Sequence, residues 1–467
     1  MNIGSFDLLW VGIPAVILAG TAIVFLVRRE LAPASGISGG GRWLLAAALG
    51  MGVIAFTVKM TAFTIMSAAP KQVITPLMMD RKYVEIRTIP RGDDGFDYIT
   101  GANAGPYVWQ PLPLYAPSPA DNPTTPEKAA LGKRLFNDVN LSQSRQVACA
   151  SCHDLDHGGV DGHRTSTGIR GQVGGRNAPT VWNAAFQAVL FWDGRAGSLE
   201  EQAKGPPLNP IEMGMPNGEA VAQRVRDDAS YRPDFDKAFG PGTAINFDRV
   251  AQAIAAYERT LITPDSPYDR FVRGDQKALS EAQVRGMALF QTTGCIMCHM
   301  GPNFSASSLM GDPNPYRLFP TNASKYEQQY NLAADSGALP AGSRRGLWRV
   351  PSLRNVALTG PYFHNGSVGS LEEAVRIMAT VQLNAAVGVA PHTGRRVFWS
   401  AEDQTLSAVD RPALSDADVK DIVAFLKALT SDELAARAAK GAGKHTVSAT
   451  GQHQALHDRD PAGKRPG

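Results

Sequence analysis

Cysteine is scarce in this chain. Only four cysteines occur among 467 residues, which excludes a disulfide-dense secreted domain. At roughly 150 residues per domain the length suggests about three units, enough to bury a sizeable core without disulfide bridges. An excess of charge of one sign is also missing, because the formal net charge is only +3. We therefore expect no nucleic-acid partner.

Strand patterns are scarce as well. Few segments alternate apolar and polar residues, whereas several have apolar residues at helical spacing, such as 248–261 and 415–429. The 46 glycines and 32 prolines exceed average usage without reaching the level of a disordered chain. The sequence therefore predicts a mainly α fold with long loops.

Long uncharged runs are confined to the start of the chain. Leu8–Val27 has no charged residue over 20 positions, which is the length that crosses ~30 Å of hydrocarbon. A second apolar run, 43–66, is interrupted only by Lys59, which can extend toward an interface. Three arginines against one glutamate lie between the runs and mark a cytoplasmic loop. We expect two transmembrane helices, with the remaining chain in a bacterial periplasm.

One alternative for this region stays open. Residues 67–69 read Ser-Ala-Ala, which resembles a signal-peptide cleavage site, so one of the runs is a candidate signal peptide. Either interpretation exports the rest of the chain. The sequence therefore predicts a membrane anchor at 1–69, a periplasmic linker at 70–115 and a disordered polar tail at 431–467.

The four cysteines form two CxxC pairs, each followed by histidine: Cys149-Ala150-Ser151-Cys152-His153 and Cys295-Ile296-Met297-Cys298-His299. This is the spacing of covalent haem c attachment, in which two thiols bond the haem and the adjacent histidine ligates the iron. A zinc half-site and a redox dithiol are the alternatives, but neither requires the histidine or a second copy. We expect two covalently bound haem c groups.

The sixth iron ligands are not fixed by spacing. An axial methionine raises a haem potential, whereas an open position allows chemistry on a small molecule. Candidates near the second motif are Met297, Met300, Met310 and Met378. For the first motif they are His157 and His163.

Longer strings surround both motifs and carry a resemblance. They include LFNDVNLS, CASCHDLDHGGVDG, RNAPTVWNAAF, FWDGRAGSLEEQAKGP, EMGMP, AIAAYERTL, VPSLRNVALTGPYFHNGSVGSLEEAV and DIVAFLKALT. From about 116 to 430 the chain resembles the bacterial dihaem cytochrome c peroxidases. The resemblance implies two cytochrome c-like haem domains, a peroxidatic one at 116–262 and an electron-transfer one at 263–430.

The resemblance also implies site residues. The catalytic glutamate of the family matches Glu212, its supporting glutamine matches Gln202, and the tryptophan between its haems matches Trp192. The methionine ligand of the second haem matches Met378. An interdomain calcium ion of the family would be held by Asn177, Thr359 and Pro361. From the residues alone, Glu212 could also be a solvated loop carboxylate and Trp192 a packing residue.

Several positions depart from the family pattern. Many members have a histidine that caps the first haem iron, but the matching position here is Ile169, and His163 lies six residues earlier. We therefore expect an open first haem at rest. A related branch, which matures methylamine dehydrogenase, has tyrosine on the second haem, so Met378 differs from it. Residues 385–412 resemble an insertion, and the third CxxCH of some membrane-bound relatives is absent.

These expectations combine into one function. We expect a dihaem peroxidase, anchored in the bacterial inner membrane, that reduces hydrogen peroxide in the periplasm. Its electron donor would be a small cytochrome c, a cupredoxin or quinol, and a homodimer is a candidate assembly. Two alternatives remain: oxidation of side chains on a partner protein, and a non-catalytic membrane-bound electron carrier.

Overall fold

Helices and long loops make up most of the described chain. The computed structural model describes residues 109–388, 397–400, 405–408 and 413–445, all within the unit Asp80–Gly467. The two apolar runs predicted to span a membrane lie outside these residues. No helix in the described part has the length and apolar character to cross a bilayer.

Twelve α-helices occur in the described residues. They are α1 (Pro126–Phe136), α2 (Cys149–Cys152), α3 (Leu199–Leu208), α4 (Gly218–Asp227), α5 (Arg232–Phe239), α6 (Phe247–Glu258), α7 (Pro267–Val272), α8 (Glu281–Thr292), α9 (Lys325–Gln329), α10 (Leu371–Val381), α11 (Asp416–Lys427) and α12 (Asp432–His445). Caps at Thr125, Ser280, Ser370 and Ser415 satisfy first-turn N–H groups of α1, α8, α10 and α11. The helices predicted from apolar spacing over 248–261 and 415–429 are confirmed as α6 and α11.

Six short strands form three separate pairs. They are β1 (Tyr316–Phe319), β2 (Gly346–Arg349), β3 (Ala386–Val387), β4 (Val397–Ser400), β5 (Thr405–Ala408) and β6 (Ala413–Leu414). Strands β1 and β2 are antiparallel, as are β4 and β5, whereas β3 and β6 are parallel. The mainly α prediction is confirmed, and the insertion at 385–412 contains β3 and the β4–β5 hairpin.

The same pair of crossing helices occurs twice. Helix α1, before the first CxxCH, packs against α6, and α8, before the second, packs against α11. A methyl group added at Gly132 would lie 1.9 Å from the carbonyl oxygen of Ala253, and one at Gly286 would lie 1.9 Å from that of Asp421. Glycine lets both helix pairs approach backbone to backbone. The two CxxCH motifs are therefore each preceded by a helix in the same crossing arrangement.

Each helix pair has its own apolar core. The first core is formed mostly by residues before 262, among them Leu135, Phe136 and Ile254. The second is formed mostly by residues after 263, among them Phe290 and Phe425. Two cores, each beside one CxxCH motif, are the packing that two haem domains would need.

The end of the predicted linker belongs to the second core. Trp109 and Leu112 are buried, and the Trp109 ring contacts the rings of Tyr268, Phe304 and Phe425 at centroid distances of 5.8–6.3 Å. The Leu112 N–H donates to a carboxylate oxygen of the buried Asp269, 2.7 Å away. The linker assignment is therefore wrong for 109–112, because apolar burial fixes these residues against a domain distant in sequence.

The predicted disordered tail is partly helical. Helix α12 covers Asp432–His445, and Leu434 is buried in the first core. Ser431 accepts a hydrogen bond from the Leu434 N–H, and Asp432 pairs with Arg270 at 2.8 Å. The prediction of disorder from 431 is wrong over α12, because a polar composition does not reveal one buried leucine that fixes a helix. Residues 446–467 lie outside the described chain.

Candidate haem-binding and peroxide site

One cavity of about 620 Å³ is lined by both CxxCH motifs. The cysteines and histidine of each motif reach its wall, and none of the four cysteines is in a disulfide. Burial raises the pKa of Cys149 and of Cys295 to about 12. A redox-active dithiol needs a lowered thiol pKa. The described environment therefore favours cofactor attachment over the dithiol alternative.

The two motif histidines share one arrangement. Nδ1 of His153 donates to the carbonyl oxygen of Gly159 at 3.2 Å, and Nδ1 of His299 donates to that of Phe304 at 3.1 Å. A proton on Nδ1 leaves Nε2 as the metal-ligating atom. Burial lowers the pKa of both imidazoles, that of His299 to about 4, so both are neutral. Paired thiols and a neutral imidazole on a cavity wall fit a covalently held haem at each motif.

Glu212 lies on the cavity wall, near the first motif. The charge of Glu212 contributes to the raised thiol pKa of Cys149 and of Cys152, but not to that of Cys295 or Cys298. Burial raises the pKa of Glu212, while Arg195 and a hydrogen bond from Asn209 oppose that rise. Glu212 is thus half-buried and not a solvated loop carboxylate.

Gln202 reaches the same cavity from another element. It lies on α3, whose N-cap Ser198 accepts a hydrogen bond from the Glu201 N–H. Two prolines, Pro206 and Pro207, lie in the last turn of α3, and the chain then turns into the segment that carries Glu212. Helix α3 and the segment that follows it therefore bring both the predicted glutamine and the predicted glutamate to this cavity.

Trp192 also lines the cavity, next to a stack of rings. Its Nε1 donates to the carbonyl oxygen of Asn177 at 2.8 Å. The edge of its ring meets His364, with centroids 6.4 Å apart, and His364 stacks on Trp348 at 4.1 Å. Trp192 is thus held in one orientation in a cavity that both motifs share.

The residue that matches the capping histidine, Ile169, does not line the cavity. Ile169 is buried, and its side chain packs where a side chain on Gly214 would otherwise lie. The residues of this loop that line the cavity are Ser166, Gly168, Gly174 and Gly175. Of the two histidine candidates, His157 pairs with Asp154 and His163 is exposed, and neither lines the cavity. Within the described residues, this loop presents no histidine to the first motif.

The cavity lining also distinguishes the four methionine candidates for the second haem. Met378, on α10, lines the cavity, whereas Met297, Met300 and Met310 do not. The described structure therefore favours Met378 among the four candidates.

The three predicted calcium ligands reach the cavity that the two motifs share. Asn177, Thr359 and Pro361 all line the cavity, although they come from distant parts of the sequence. Among the described residues no cluster of three or more histidine, cysteine or acidic side chains is suited to a metal ion. Any cation here would need amide and carbonyl oxygens.

Arg195, Asn209 and Glu258 are among the lining residues that no sequence motif pointed to. Arg195 pairs with Asp193 at 2.8 Å and covers the Phe191 ring. Glu258 is buried, its Oε2 has no hydrogen-bond partner, and burial raises its pKa to about 8. The sequence feature that could have pointed to Glu258 is its position at the end of the apolar helix α6.

Comparison with known proteins identifies a family and several named relatives that this chain resembles. The family model described as di-haem cytochrome c peroxidase matches residues 126–277. The chain is 38% identical over 320 residues to cytochrome c peroxidase Ccp of Escherichia coli, covering 67% of this chain and 60% of that protein. It is 39% identical over 319 residues to cytochrome c551 peroxidase of Nitrosomonas europaea, covering 68% and 84%.

A second group of similar proteins is named for methylamine utilization and not for peroxidase activity. The chain is 33% identical over 336 residues to the methylamine utilization protein MauG of Methylophilus methylotrophus, covering 71% of this chain and 91% of that one. Among solved structures, a MauG-like protein associated with microbial copper homeostasis matches with a TM-score of 0.55 and 30% identity, covering 70% of this chain and 97% of the other.

Proposed function

Because the chain belongs to the di-haem cytochrome c peroxidase family, we propose that it reduces hydrogen peroxide to water with electrons from a respiratory donor. One observation carries this proposal: Glu212 and Gln202 line the cavity that contains the first CxxCH motif, and the charge of Glu212 acts on the cysteines of that motif. A carboxyl and an amide beside a candidate haem site are the groups that peroxide cleavage requires.

Cys149, Cys152 and His153 would hold the first haem, and Cys295, Cys298 and His299 the second, with Met378 as its further ligand. When bound, the haems supply an iron that binds peroxide and an iron that accepts electrons from the donor. Glu212 takes a proton from one peroxide oxygen and returns it to the other. Its raised pKa brings this proton exchange closer to neutral pH. The Gln202 amide donates a hydrogen bond to the peroxide.

Trp192 is proposed as the group between the two haem sites. Its hydrogen bond to the main chain of Asn177 and its edge contact with His364 fix the ring in the shared cavity. This role is compatible with packing, because a fixed ring can do both. A calcium ion on Asn177, Thr359 and Pro361 would tie together loops from both halves of the sequence, and metal analysis of the purified protein tests it.

Membrane anchoring is part of the same proposal. The runs Leu8–Val27 and 43–66 have the length and apolar character for two transmembrane helices. They would hold the catalytic part in the periplasm beside quinol and small soluble donors such as a cytochrome c or a cupredoxin. Fractionation of cells, with and without carbonate extraction, tests the anchor, and the mass of the detergent-purified protein tests the homodimer.

The direct test is steady-state peroxide consumption by the full chain with reduced cytochrome c, a reduced cupredoxin or quinol. We expect turnover with at least one of these donors. Absence of turnover with all three, in protein that carries two haems, would contradict the proposal.

Oxidation of a partner protein is the second candidate. The identity to MauG relatives favours it, whereas the peroxidase relatives are more similar to this chain. Met378 favours the peroxidase, because the resemblance implies tyrosine at this place in the other branch. A non-catalytic carrier is the third candidate, and it would have no use for Glu212 beside the first motif. Peroxide turnover with a small donor separates the first candidate from both others.

A further inference from the structure

Asn209 connects the helix that carries Gln202 to the loop that carries Glu212. Its N–H donates to the carbonyl oxygens of Gly205 and Pro206 at 3.1 and 3.2 Å, which closes the last turn of α3. Its own carbonyl oxygen accepts hydrogen bonds from the N–H of Met213 at 3.2 Å and of Gly214 at 2.8 Å. Both ends of the loop 209–214 are therefore fixed at one residue.

The side chain of Asn209 has a defined orientation. Its Oδ1 accepts a hydrogen bond from the main-chain N–H of Ile211 at 3.0 Å. A main-chain N–H can only donate, so the amide atom facing Ile211 must be the oxygen. The other amide atom, Nδ2, is therefore the one that lies 2.8 Å from Oε1 of Glu212.

This orientation decides which oxygen of Glu212 can hold a proton. Nδ2 is only a donor, so Oε1 accepts its hydrogen bond whether Glu212 is charged or neutral. A proton on Oε1 that pointed at Nδ2 would face another hydrogen. In a neutral carboxyl group the carbonyl oxygen is the stronger acceptor, so this hydrogen bond favours the carbonyl at Oε1 and the proton at Oε2.

We propose that Asn209 is the positioning residue of the peroxide site, which commits Oε1 of Glu212 as an acceptor and leaves Oε2 to take and return the proton. This inference rests on the proposed function, because it specifies how Glu212 acts there. Asn209 also holds Gln202 and Glu212 at a fixed separation through the end of α3.

The charges around Glu212 determine the direction in which its pKa should shift when Asn209 is replaced. Burial favours its neutral form, while the Asn209 donor and the Arg195 guanidinium favour its charged form. Arg195 approaches from the loop before α3, and Cys149 and Cys152 approach from the first motif. Both cysteines become uncharged thioethers once a haem is attached. Without the Asn209 donor, only Arg195 still counteracts the effect of burial on Glu212. The pKa of Glu212 should therefore rise.

The test uses the full holoenzyme with Asn209→Asp and Asn209→Ser. Aspartate replaces the donor with an acceptor facing Oε1, and serine keeps an acceptor for Ile211 but loses the amide donor. Asn246→Asp is the matched control, because Asn246 caps α6 through a bond from Arg249 that aspartate also accepts. All proteins are compared after a check that both haems are attached.

Two pH profiles are measured between pH 4.5 and 9. The first is kcat/KM for hydrogen peroxide, and the second is the association rate of cyanide with the ferric protein, since HCN must give its proton to a base in the site. We expect the acidic limb of both profiles to move up by about one pH unit or more in Asn209→Asp. Asn209→Ser should shift in the same direction, and Asn246→Asp should match the wild type.

The two profiles separate this inference from the proposed function. A shifted cyanide profile in a protein without peroxide turnover would overturn the peroxidase proposal and support the role of Asn209. If both Asn209 variants carry both haems and the acidic limbs of their pH profiles match those of the wild type, the inference is overturned. If Asn209→Asp does not assemble with two haems, the Asn209→Ser profile decides alone.

Discussion

The main-chain N–H of Ile169 donates a hydrogen bond to the carbonyl oxygen of Glu212, 3.0 Å away. The Ile169 side chain is buried against the turn at Gly214, and a side chain on Gly168 would collide with the carbonyl oxygen of Ile211 at 2.0 Å. The loop that bears a capping histidine in many family members is here attached to the loop of the proposed proton-exchanging group.

The resting ferric protein should therefore contain one high-spin haem. Because isoleucine has no ligating atom and Ile169 does not line the cavity, the described loop offers no strong ligand to the first haem, and peroxide should react without prior reduction of the protein. Electronic absorption and electron paramagnetic resonance spectra of the purified protein check this. Two low-spin haems in the resting protein would contradict it.

Alanine at either crossing glycine should destabilise the fold. The added methyl group at Gly132 or Gly286 meets a main-chain carbonyl of the partner helix, which cannot move aside as a side chain can. We expect each variant to lose about 1–3 kcal/mol of unfolding free energy. Gly369→Ala is the control, because nothing lies within 4 Å of its added methyl group. Thermal or denaturant unfolding of the three variants measures the effect, and equal stabilities would contradict the packing of α1 on α6 and α8 on α11.

Glu258 should make stability fall as pH rises. Burial raises its pKa from the ordinary 4.5 to about 8, so between these values the folded protein holds a proton that the unfolded chain has released. Stability then falls with rising pH by up to about 1.4 kcal/mol per pH unit in this range. Glu258→Gln should remove this dependence and be the more stable protein at pH 7.5.

Unfolding curves at pH 5.5 and 7.5 test the Glu258 prediction. The exposed Glu127→Gln, in the first turn of α1, serves as the control. If the stability of the wild type and of Glu258→Gln changed equally with pH, Glu258 would be charged in the folded state, contrary to the prediction.

Met378→His should lower the midpoint potential of one haem only. Histidine in place of the methionine ligand removes the group that favours the reduced iron. We expect a fall on the order of 0.1 V, within the ~0.8 V range that axial ligands cover. Met310→Leu, outside the cavity, is the control. A redox titration in which Met378→His leaves both potentials unchanged would remove Met378 from the ligand set.

The sequence predicted the parts of this protein that depend on local chemistry. Apolar spacing located the helices α6 and α11, and the CxxCH spacing located the two haem sites. Contacts between distant residues were not predictable in this way. Trp109 in the second core, Leu434 in the first, and Asn209 against Glu212 all depend on how the chain packs, which no local pattern records.

The most direct test of the account is peroxide consumption by Glu212→Gln, measured beside Glu219→Gln. Glu219 lies in the first turn of α4 and pairs with Arg226, away from the cavity wall. Glutamine at 212 keeps the shape of the side chain but cannot take a proton, so kcat/KM for hydrogen peroxide should fall by at least about 100-fold. Both haems should remain attached, and Glu219→Gln should match the wild type. Undiminished peroxide turnover by Glu212→Gln would contradict the account.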